Sequence, residues 1–399
     1  MSPLTHIRPE MALLLACASA PTDHSKPEQI RLLLQKEIDW PYLKRMAHQH
    51  GLASLLFENL RTFCIEKVPE EILIQLREHT IANARRNLFL TGELLRILHL
   101  FEANDISAIP YKGPVLAGWA YGDIALREFS DLDILIPKED VLRARDLLVS
   151  QGYRLPFKID EGPVVNQRSQ YEVLLTLGQS RVHVELKWEI IDGYFSCPLD
   201  VRSLWKRRRP ILLADREVST FSPEDLLLIL CIHGTKHLWT SLMWVCDVAA
   251  VVSVSKGLDW DWLLGTSNAL GIRRMLFLGL FLAKTLLGTS LPEEVGRQVE
   301  ADRSVKGLAE EVWRRIFGES DLSPSLWASL AFHCKARERL KDRARYGYRL
   351  LVTTTPGDRA LLEASSSLSP LSPYIRPFRL AGKYGISLAK RLLTTANTL

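Results

Sequence analysis

The stretch SDLDILI, residues 130–136, places two carboxylates one residue apart at the start of an apolar run. This pattern predicts a strand over residues 132–136, and because strand side chains alternate between two faces, Asp131 and Asp133 share one face. A second alternating stretch, residues 182–187, carries Glu185, which we expect a neighbouring strand to bring beside the pair. Clustered carboxylates repel one another unless a divalent cation lies between them. Asp131, Asp133 and Glu185 are therefore predicted to be catalytic residues and ligands of Mg²⁺ or Mn²⁺, as two-metal phosphoryl transfer requires.

A candidate phosphate-binding turn, YKGP at residues 111–114, precedes the paired aspartates. Gly113 permits close backbone approach, and Pro114 suits the first position of a helix whose free N–H groups attract an anion. Lys112 and Arg127 would add positive charge where a leaving pyrophosphate develops negative charge. Whether Glu185 binds a second ion or acts as the base toward an attacking hydroxyl is left open at this stage.

Composition and length are those of an ordinary globular protein. The chain has 399 residues, 47% hydrophobic and 24% charged, enough for two or three domains. Its six scattered cysteines have no spacing suited to zinc or to a disulfide framework, which favours reduced thiols and a cytoplasmic location. The most apolar stretch, residues 275–287, is too short to span a bilayer, so we expect a soluble protein.

Positive charge is concentrated near the C-terminus. Residues 335–391 contain thirteen Lys or Arg and four Asp or Glu, whereas the whole chain carries a net charge of only +5. Such a segment could bind nucleic acid, anionic lipid or an acidic partner, although a solvated helix face is the simpler interpretation.

Periodicity predicts helices at both ends of the chain and an α/β core between them. Helical spacing dominates residues 1–105 and returns after Ser222, where Ser-Pro-Glu-Asp is a typical helix start. Between these regions, β-rich and helical runs alternate. Residues 171–177 and 181–190 predict a hairpin around Gly178-Gln179-Ser180. The predicted fold class is therefore α+β.

The order of these residues resembles the nucleotidyltransferase superfamily of the DNA polymerase β type, and within it bacterial nucleotidyltransferase family proteins with Lys-Gly in place of the usual Gly-Ser. In those proteins a strand ends in Lys-Gly, an Arg precedes Asp-x-Asp, and a later acidic residue precedes Trp. The corresponding residues here are Lys112-Gly113, Arg127, Asp131-x-Asp133, and Glu185 before Trp188. A His-Gly-x-x-His helix followed by Asp corresponds to residues 233–237 and Asp247. The resemblance covers residues 106–255.

The resemblance implies a polymerase β-like core with a small mixed sheet, embedded between helical regions. The predicted divisions are an N-terminal helical region (1–105), the nucleotidyltransferase core (106–215), a helical domain on the acceptor side (216–352), and a linker with a basic C-terminal segment (353–399). The resemblance also implies an NTP substrate, with ATP favoured. The predicted nucleotide-binding residues are Lys112, Gly113, Arg127, Ser130, His183, Lys187 and His237. A local hydrogen bond for Ser130 and a structural role for His183 remain open alternatives.

The two histidines of the later helix allow three interpretations. His233 and His237 have the i, i+4 spacing of zinc-binding helices, but the glutamate that follows the first histidine in metalloproteases is replaced by Gly234. A position near the base or sugar of the nucleotide, or packing against Asp247, is favoured over zinc.

Three functions compete at the level of sequence. The favoured one is an enzyme that transfers a nucleotidyl group, adenylyl from ATP, to a hydroxyl of a small molecule, sugar, peptide or protein, with release of pyrophosphate. The second is a nucleotide-binding regulatory or antitoxin-like module with little turnover. The third, nucleic-acid polymerisation, is disfavoured because no RNA-binding motif with the required aromatic residues is present. The acceptor, the nucleobase and the oligomeric state are not determined by the sequence.

Overall fold

The computed structural model describes residues 7–19, 26–155, 172–177, 182–195, 197–318 and 325–352. The predicted turn at Gly178-Gln179-Ser180 and the predicted linker and basic segment, residues 353–399, lie outside these ranges.

The N-terminal part of the described chain is helical, as predicted. Its helices are α1 (Pro9–Ala16), α2 (Pro27–Leu33), α3 (Trp40–Gln49), α4 (Ala53–Phe63) and α5 (Glu70–Glu102). In α5, residues such as Leu90, Leu94, Ile97 and Phe101 repeat at helical spacing and are buried against the sheet. The helical prediction for this region is therefore confirmed for the described residues.

A five-stranded mixed sheet follows. Its strands are β1 (Ile109–Pro110), β2 (Asp131–Leu135), β3 (Tyr153–Arg154), β4 (Glu172–Leu177) and β5 (Val182–Lys187). The strand order is β1-β2-β5-β4-β3, with β2 and β5 parallel and the other pairs antiparallel. The predicted pairing of the two β-rich runs as antiparallel neighbours is confirmed. Helix α6 (Gly113–Tyr121) lies where the Gly-Pro turn predicted a helix, and α7 (Val141–Ser150) follows β2 after a 3₁₀ turn at Lys138–Asp140.

A second, two-stranded sheet was not predicted. Strands β6 (Arg209–Leu213) and β7 (Arg216–Thr220) form an antiparallel hairpin whose Leu213 and Val218 are buried in the core of the larger sheet. This hairpin spans the predicted division between residues 215 and 216. The charged run Arg207-Arg208-Arg209 is typical of a solvated turn. Its last residue instead begins β6, where the Arg209 guanidinium lies 4.3 Å from the centre of the Trp119 ring of α6. This distance allows a cation–π interaction.

Helices form the rest of the described chain. They are α8 (Val201–Lys206), α9 (Pro223–Lys236), α10 (Leu242–Val254), α11 (Trp260–Leu270), α12 (Arg273–Leu287), α13 (Glu293–Ala301), α14 (Arg303–Phe317), α15 (Leu326–Lys335) and α16 (Leu340–Val352). Ser222 caps α9 by accepting a hydrogen bond from the Asp225 N–H, as its sequence predicted. The molecule is thus mostly helical around a small mixed sheet. Among the described helices, none has the length and apolar character needed to cross a bilayer.

Candidate active site

The parallel pairing of β2 with β5 brings the three predicted carboxylates together. Asp131 pairs in register with His183, and Asp133 pairs with Glu185. Paired residues of neighbouring strands point to the same face, so Asp131, Asp133 and Glu185 share one face of the sheet. The apolar residues of the opposite face, among them Leu132, Ile134 and Val184, are buried and fix this register. The predicted juxtaposition is confirmed, and the roles of these residues in metal binding and catalysis stay predictions.

Lys187 extends its ammonium group into this carboxylate cluster. Its Nζ lies 2.6 Å from Asp133 Oδ1, 2.8 Å from Glu185 Oε2 and 3.3 Å from Glu172 Oε2. Glu172 reaches the cluster because β4 pairs with β5 and places it opposite Lys187. The Lys187 side chain is 9% exposed, so this cation is held among carboxylates and largely away from water.

Asp133 has a second cation on its other side. Lys112 Nζ lies 3.7 Å from Asp133 Oδ2, and the Tyr111 hydroxyl donates a hydrogen bond to Asp133 Oδ1 at 3.3 Å. The Asp133 side chain is almost fully buried. In contrast, Asp131 is half-buried, and none of the described residues forms an ion pair or hydrogen bond with its carboxylate. The two aspartates of the sequence pair therefore have different surroundings.

The pKa values of Asp133 and Glu185 are shifted in opposite directions. Burial raises the pKa of Asp133, but Lys112 and Lys187 outweigh it and hold that pKa well below its usual range. Burial raises the pKa of Glu185 to about 7; Asp133 and Glu172 add to this effect and Lys187 opposes it. A carboxyl group that titrates near neutral pH suits a general base.

The two lysines also differ. Burial lowers the pKa of Lys112, an effect that Asp133 partly offsets. Burial also opposes the charge of Lys187, yet Tyr111 and the surrounding carboxylates raise its pKa above the usual value. Lys187 is therefore a permanent cation of the cluster.

The cluster forms one wall of a cavity of about 240 Å³. The cavity is lined by Tyr111, Lys112, Asp131, Asp133, Glu172, Glu185, Lys187, Ile190, Ile191, Ile229, Ile232, His233, Lys236 and His237. Charged groups of β2, β4 and β5 thus face an apolar and aromatic wall from α9 and the segment after β5. Pockets that combine an apolar wall with a few convergent polar groups are typical ligand sites.

The turn before α6 requires glycine at position 113. Gly113 has φ +51°, and a Cβ at this position would lie 3.1 Å from the Asp131 carbonyl oxygen. Glycine is therefore required both for the backbone conformation and for the close approach of α6 to β2. The helix begins at Gly113, one residue before the predicted start at Pro114, so that Pro114 is its second residue. This packing places Lys112, the residue before the helix, beside Asp133.

The histidine pair lies on the opposite side of the cavity. The His233 and His237 rings are 4.6 Å apart, and each packs on Trp244 with ring centres 5.5 and 5.4 Å away. His233 Nδ1 is 3.3 Å from Lys112 Nζ. Burial, together with nearby lysines, lowers the pKa of His237 to about 4 and that of His233 well below its usual value, so both rings are neutral at pH 7. His237 follows the last residue of α9 and lines the cavity, as a nucleotide contact would require.

Arg127 does not line the cavity. Its guanidinium forms two hydrogen bonds with the buried Asp247, at 2.7 and 2.9 Å, and the Tyr121 hydroxyl also donates to Asp247 at 2.8 Å. The structure thus places Arg127 and Asp247 in a buried ion pair that joins the loop before β2 to α10, and Asp247 packs with Arg127 rather than with His237. Trp239 is fully buried, with its ring against Gly234, which leaves no face for a nucleobase.

Two further predicted residues also lie outside the cavity. Ser130 borders a different cavity, formed with α5 residues such as His79 and Arg86. His183 is paired opposite Asp131 at the start of β5 but does not line the cavity. Conversely, Tyr111, Glu172 and Lys236 line it and were not predicted. Tyr111 stood next to the predicted turn, and Glu172 alternates in phase with Leu174 and Thr176, so period-two spacing could have identified its face.

The donors of this cluster are of the type that a divalent cation prefers, but in this structure they surround Lys187. Among the residues that the structure describes, no group of three or more His, Cys, Asp or Glu side chains is placed to hold a metal ion. Lys187 Nζ lies between Asp133, Glu185 and Glu172 instead. All of these donors are carboxylate oxygens, the ligands that Mg²⁺ and Mn²⁺ prefer, and the buried Glu172 Oε2 accepts no hydrogen bond.

Comparison with known proteins assigns the chain to a class. A family model described as an uncharacterised nucleotidyltransferase matches residues 36–288, more than half of the chain and all of the cavity-lining residues. The chain therefore belongs to this nucleotidyltransferase family.

Comparison with curated proteins and solved structures adds less. No curated protein sequence is significantly similar to the chain. Among solved structures, that of the antibiotic-resistance factor ANT(2'')-Ia is similar over 51% of this chain and 91% of its own, with 14% identity and a TM-score of 0.26. A TM-score this low shows neither a shared fold nor a shared substrate.

Proposed function

We propose that this nucleotidyltransferase is metal-dependent and moves an adenylyl group from ATP to a hydroxyl acceptor, with release of pyrophosphate. The observation that supports this most strongly is the gathering of Asp131, Asp133 and Glu185 on one face of β2 and β5, next to Lys112. We further propose that the sheet and its flanking helices correspond to a polymerase β-like core. Six free cysteines in the described chain support a reducing, cytoplasmic location.

Asp131 and Asp133 would hold the divalent cation in this proposal, which leaves Glu185 for the second of its two predicted roles. When bound, the cation neutralises phosphate charge and favours departure of pyrophosphate. Lys112, whose largely buried side chain lies between Asp133 and His233, would bind the β- and γ-phosphates beside the start of α6. His237 would lie near the base or sugar, where its neutral ring and Trp244 offer an apolar surface.

Glu185 is the proposed base for the transfer step. The acceptor hydroxyl oxygen forms a bond to the α-phosphorus, the bond between the α-phosphorus and the bridging oxygen of pyrophosphate breaks, and the hydroxyl proton passes to Glu185. Its pKa of about 7, raised by burial, allows the side chain to accept this proton at neutral pH. No covalent enzyme intermediate is needed.

A second candidate function is a nucleotide-binding regulatory module with little turnover. The observation that favours it is Lys187, whose ammonium group neutralises the carboxylates without any metal ion. A site neutralised in this way could bind a nucleotide and not react. The two candidates differ in whether nucleotide binding depends on a divalent cation.

Calorimetry with a nonhydrolysable ATP analogue tests the proposal. We expect the analogue to bind at least about tenfold more tightly with Mg²⁺ than with EDTA, because crowded carboxylates and phosphates both need the cation. Asp131→Asn should remove this difference, whereas Asp123→Asn, an exposed substitution in the loop after α6, should retain it. Equal affinity with Mg²⁺ and with EDTA would favour the regulatory module.

A further inference from the structure

Lys187 has the surroundings of a bound cation. Three carboxylates, those of Asp133, Glu185 and Glu172, lie within 3.3 Å of its ammonium group. The side chain is only 9% exposed. A lysine that only covered the sheet would extend its charged end toward water, so the burial of this ammonium indicates a specific role for its charge.

The sheet fixes this position. Lys187 pairs in register with Leu135 of β2 and with Glu172 of β4, so strands on both sides hold its backbone. Its face is the one that carries Asp133 and Glu185. The ammonium therefore lies between Glu185 and Asp133. In a two-metal site, one of the two ions would occupy this space.

Asp131 lies on the open side of the same cluster. It is half-buried, lines the cavity and has no ion-pair partner among the described residues, in contrast to the fully paired Asp133. The cluster thus has one carboxylate available to a cation from solution, whereas the others already surround a cation supplied by the chain.

We infer that Lys187 is a positioning residue that takes the place of the second divalent cation, so that this site binds one divalent cation and not two. The inference rests on the proposed metal-dependent function. Within it, the ammonium of Lys187 holds Glu185 and the Oδ1 atom of Asp133, while the single divalent cation binds Asp131 and Asp133 from the nucleotide side. A positive charge that belongs to the chain does not depend on the metal concentration.

Anomalous diffraction at the manganese edge tests this inference by counting ions. The probe is Mn²⁺ with a nonhydrolysable ATP analogue, soaked into crystals of the full chain. We expect one anomalous peak in the wild-type cavity, bonded to Asp131, and two in Lys187→Gln, with the new peak between Asp133 and Glu185. Lys236→Gln removes a lysine from the same cavity, one that pairs with Asp192 at 2.5 Å, and should keep a single peak.

A second variant guards against misfolding of Lys187→Gln, because three carboxylates would then face one another unneutralised. The double variant Lys187→Gln, Glu172→Gln removes one of those carboxylates and should also show two peaks. Two peaks in the wild type, or one peak in both Lys187 variants, would overturn the inference while leaving a metal-dependent site. Binding of the analogue with no manganese peak in the wild type would overturn the proposed metal dependence and the inference with it.

Discussion

Asp131 and Asp133 are equivalent in the sequence pattern but not in the structure. Asp133 is buried between Lys187 and Lys112 and also accepts a hydrogen bond from Tyr111, whereas the Asp131 carboxylate has no such partners among the described residues. The difference follows from register, since Asp133 lies opposite Glu185, deeper in the sheet, and Asp131 lies at the strand start.

This asymmetry predicts different effects of two matched substitutions. Asp133→Asn leaves two buried ammonium groups with less counter-charge and should destabilise the apo protein by about 2–3 kcal/mol, near the lower limit for breaking a buried ion pair because Glu185 and Glu172 remain. Asp131→Asn should change stability by less than about 0.5 kcal/mol. Both should lower transfer activity about a hundredfold or more, since each removes a proposed cation ligand. Urea denaturation of the two variants checks the first part; equal stability loss would show that the asymmetry has no energetic weight.

Lys112 should distinguish nucleotides by their phosphate number. Its ammonium is close to Asp133 and to the start of α6, where the β- and γ-phosphates are proposed to bind. Lys112→Ala should therefore weaken binding of an ATP analogue about tenfold or more and that of AMP much less. Calorimetry with both ligands measures this, with Lys236→Ala as the control lysine of the same cavity. Equal losses for the two nucleotides would place the phosphates elsewhere.

At this scale the sequence predicted contacts that depend on periodicity and missed those that depend on distant partners. The shared face of Asp131, Asp133 and Glu185 follows from alternation along two strands, and the structure has it. Arg127 was expected at the phosphates, yet its partner Asp247 is 120 residues away, and no local pattern reveals such a pairing. The cluster around Lys187 depends in the same way on which strand lies beside β5.

The junction of α6 with β2 is the element that most directly positions the site. Gly113→Ala would introduce a side chain at φ +51° and 3.1 Å from the Asp131 carbonyl oxygen. We expect a loss of about 1–2 kcal/mol in stability, typical of a left-handed conformation in a residue with a Cβ, and a loss of activity as β2 shifts.

Gly92 provides the matched control for this substitution. It is exposed on α5, and a Cβ there would meet no atom within 4 Å. Gly92→Ala should therefore stabilise the protein by up to about 1 kcal/mol, because alanine favours a helix interior. Thermal denaturation of the two variants measures both effects. A neutral Gly113→Ala would contradict the proposed packing of α6 on β2.

Helix α15 supports the cavity from outside through His333. Its Nε2 lies 3.2 and 3.1 Å from the carbonyl oxygens of Thr235 and Lys236, at the end of α9, and its Nδ1 lies 2.7 Å from the Tyr346 hydroxyl. These partners suit a neutral ring that donates through Nε2 and accepts through Nδ1. Burial, with a smaller effect from Arg337, lowers the pKa of His333 from 6.5 to about 4.

This histidine predicts a pH dependence of stability. Below pH 6.5 His333 binds a proton in the unfolded chain but stays neutral in the folded one. The free energy of unfolding therefore falls as pH decreases from about 6.5 to 4, by up to about 3 kcal/mol. His333→Gln retains a donor for the two carbonyls and should remove the share of this dependence that His333 contributes, while His233 and His237, whose pKa values are also lowered, keep theirs. Urea denaturation of both proteins at pH 7.5 and pH 5 tests it. If the free energy of unfolding changed equally with pH in both proteins, His333 would have the same pKa in the folded and unfolded states.

Elements with a strong period were predictable from the sequence, and short ones were not. The 33-residue α5 and the strands β2, β4 and β5 follow from their spacing. The β6–β7 hairpin was hidden because its strands have only five residues and β6 begins at the last residue of the run Arg207-Arg208-Arg209, whose charge suggests a solvated turn. Arg209 packs on Trp119 of α6, a tertiary contact that no local sequence pattern reveals.

At the scale of the whole molecule, the C-terminal helices support a segment that lines the site. Arg337, after α15, donates hydrogen bonds to the Phe195 and His333 carbonyls and so connects the segment after β5 to the C-terminal helices. That segment carries Ile190 and Ile191 into the cavity, while α9 supplies His233. The sheet thus provides the charged wall, and the helices provide the apolar wall that would select base and acceptor.

The measurement that tests the central claim most directly is the fate of the ATP phosphates. In the proposed mechanism the acceptor hydroxyl attacks the α-phosphorus, and Lys112 binds the β- and γ-phosphates at the start of α6. Incubation with Mg²⁺, a panel of hydroxyl acceptors and ATP labelled at either the α or the γ position should transfer the α label to the product and release the γ label in pyrophosphate. Asp131→Asn should abolish both signals. Transfer of the γ label to the acceptor, with release of ADP, would contradict nucleotidyl transfer and identify a phosphotransferase.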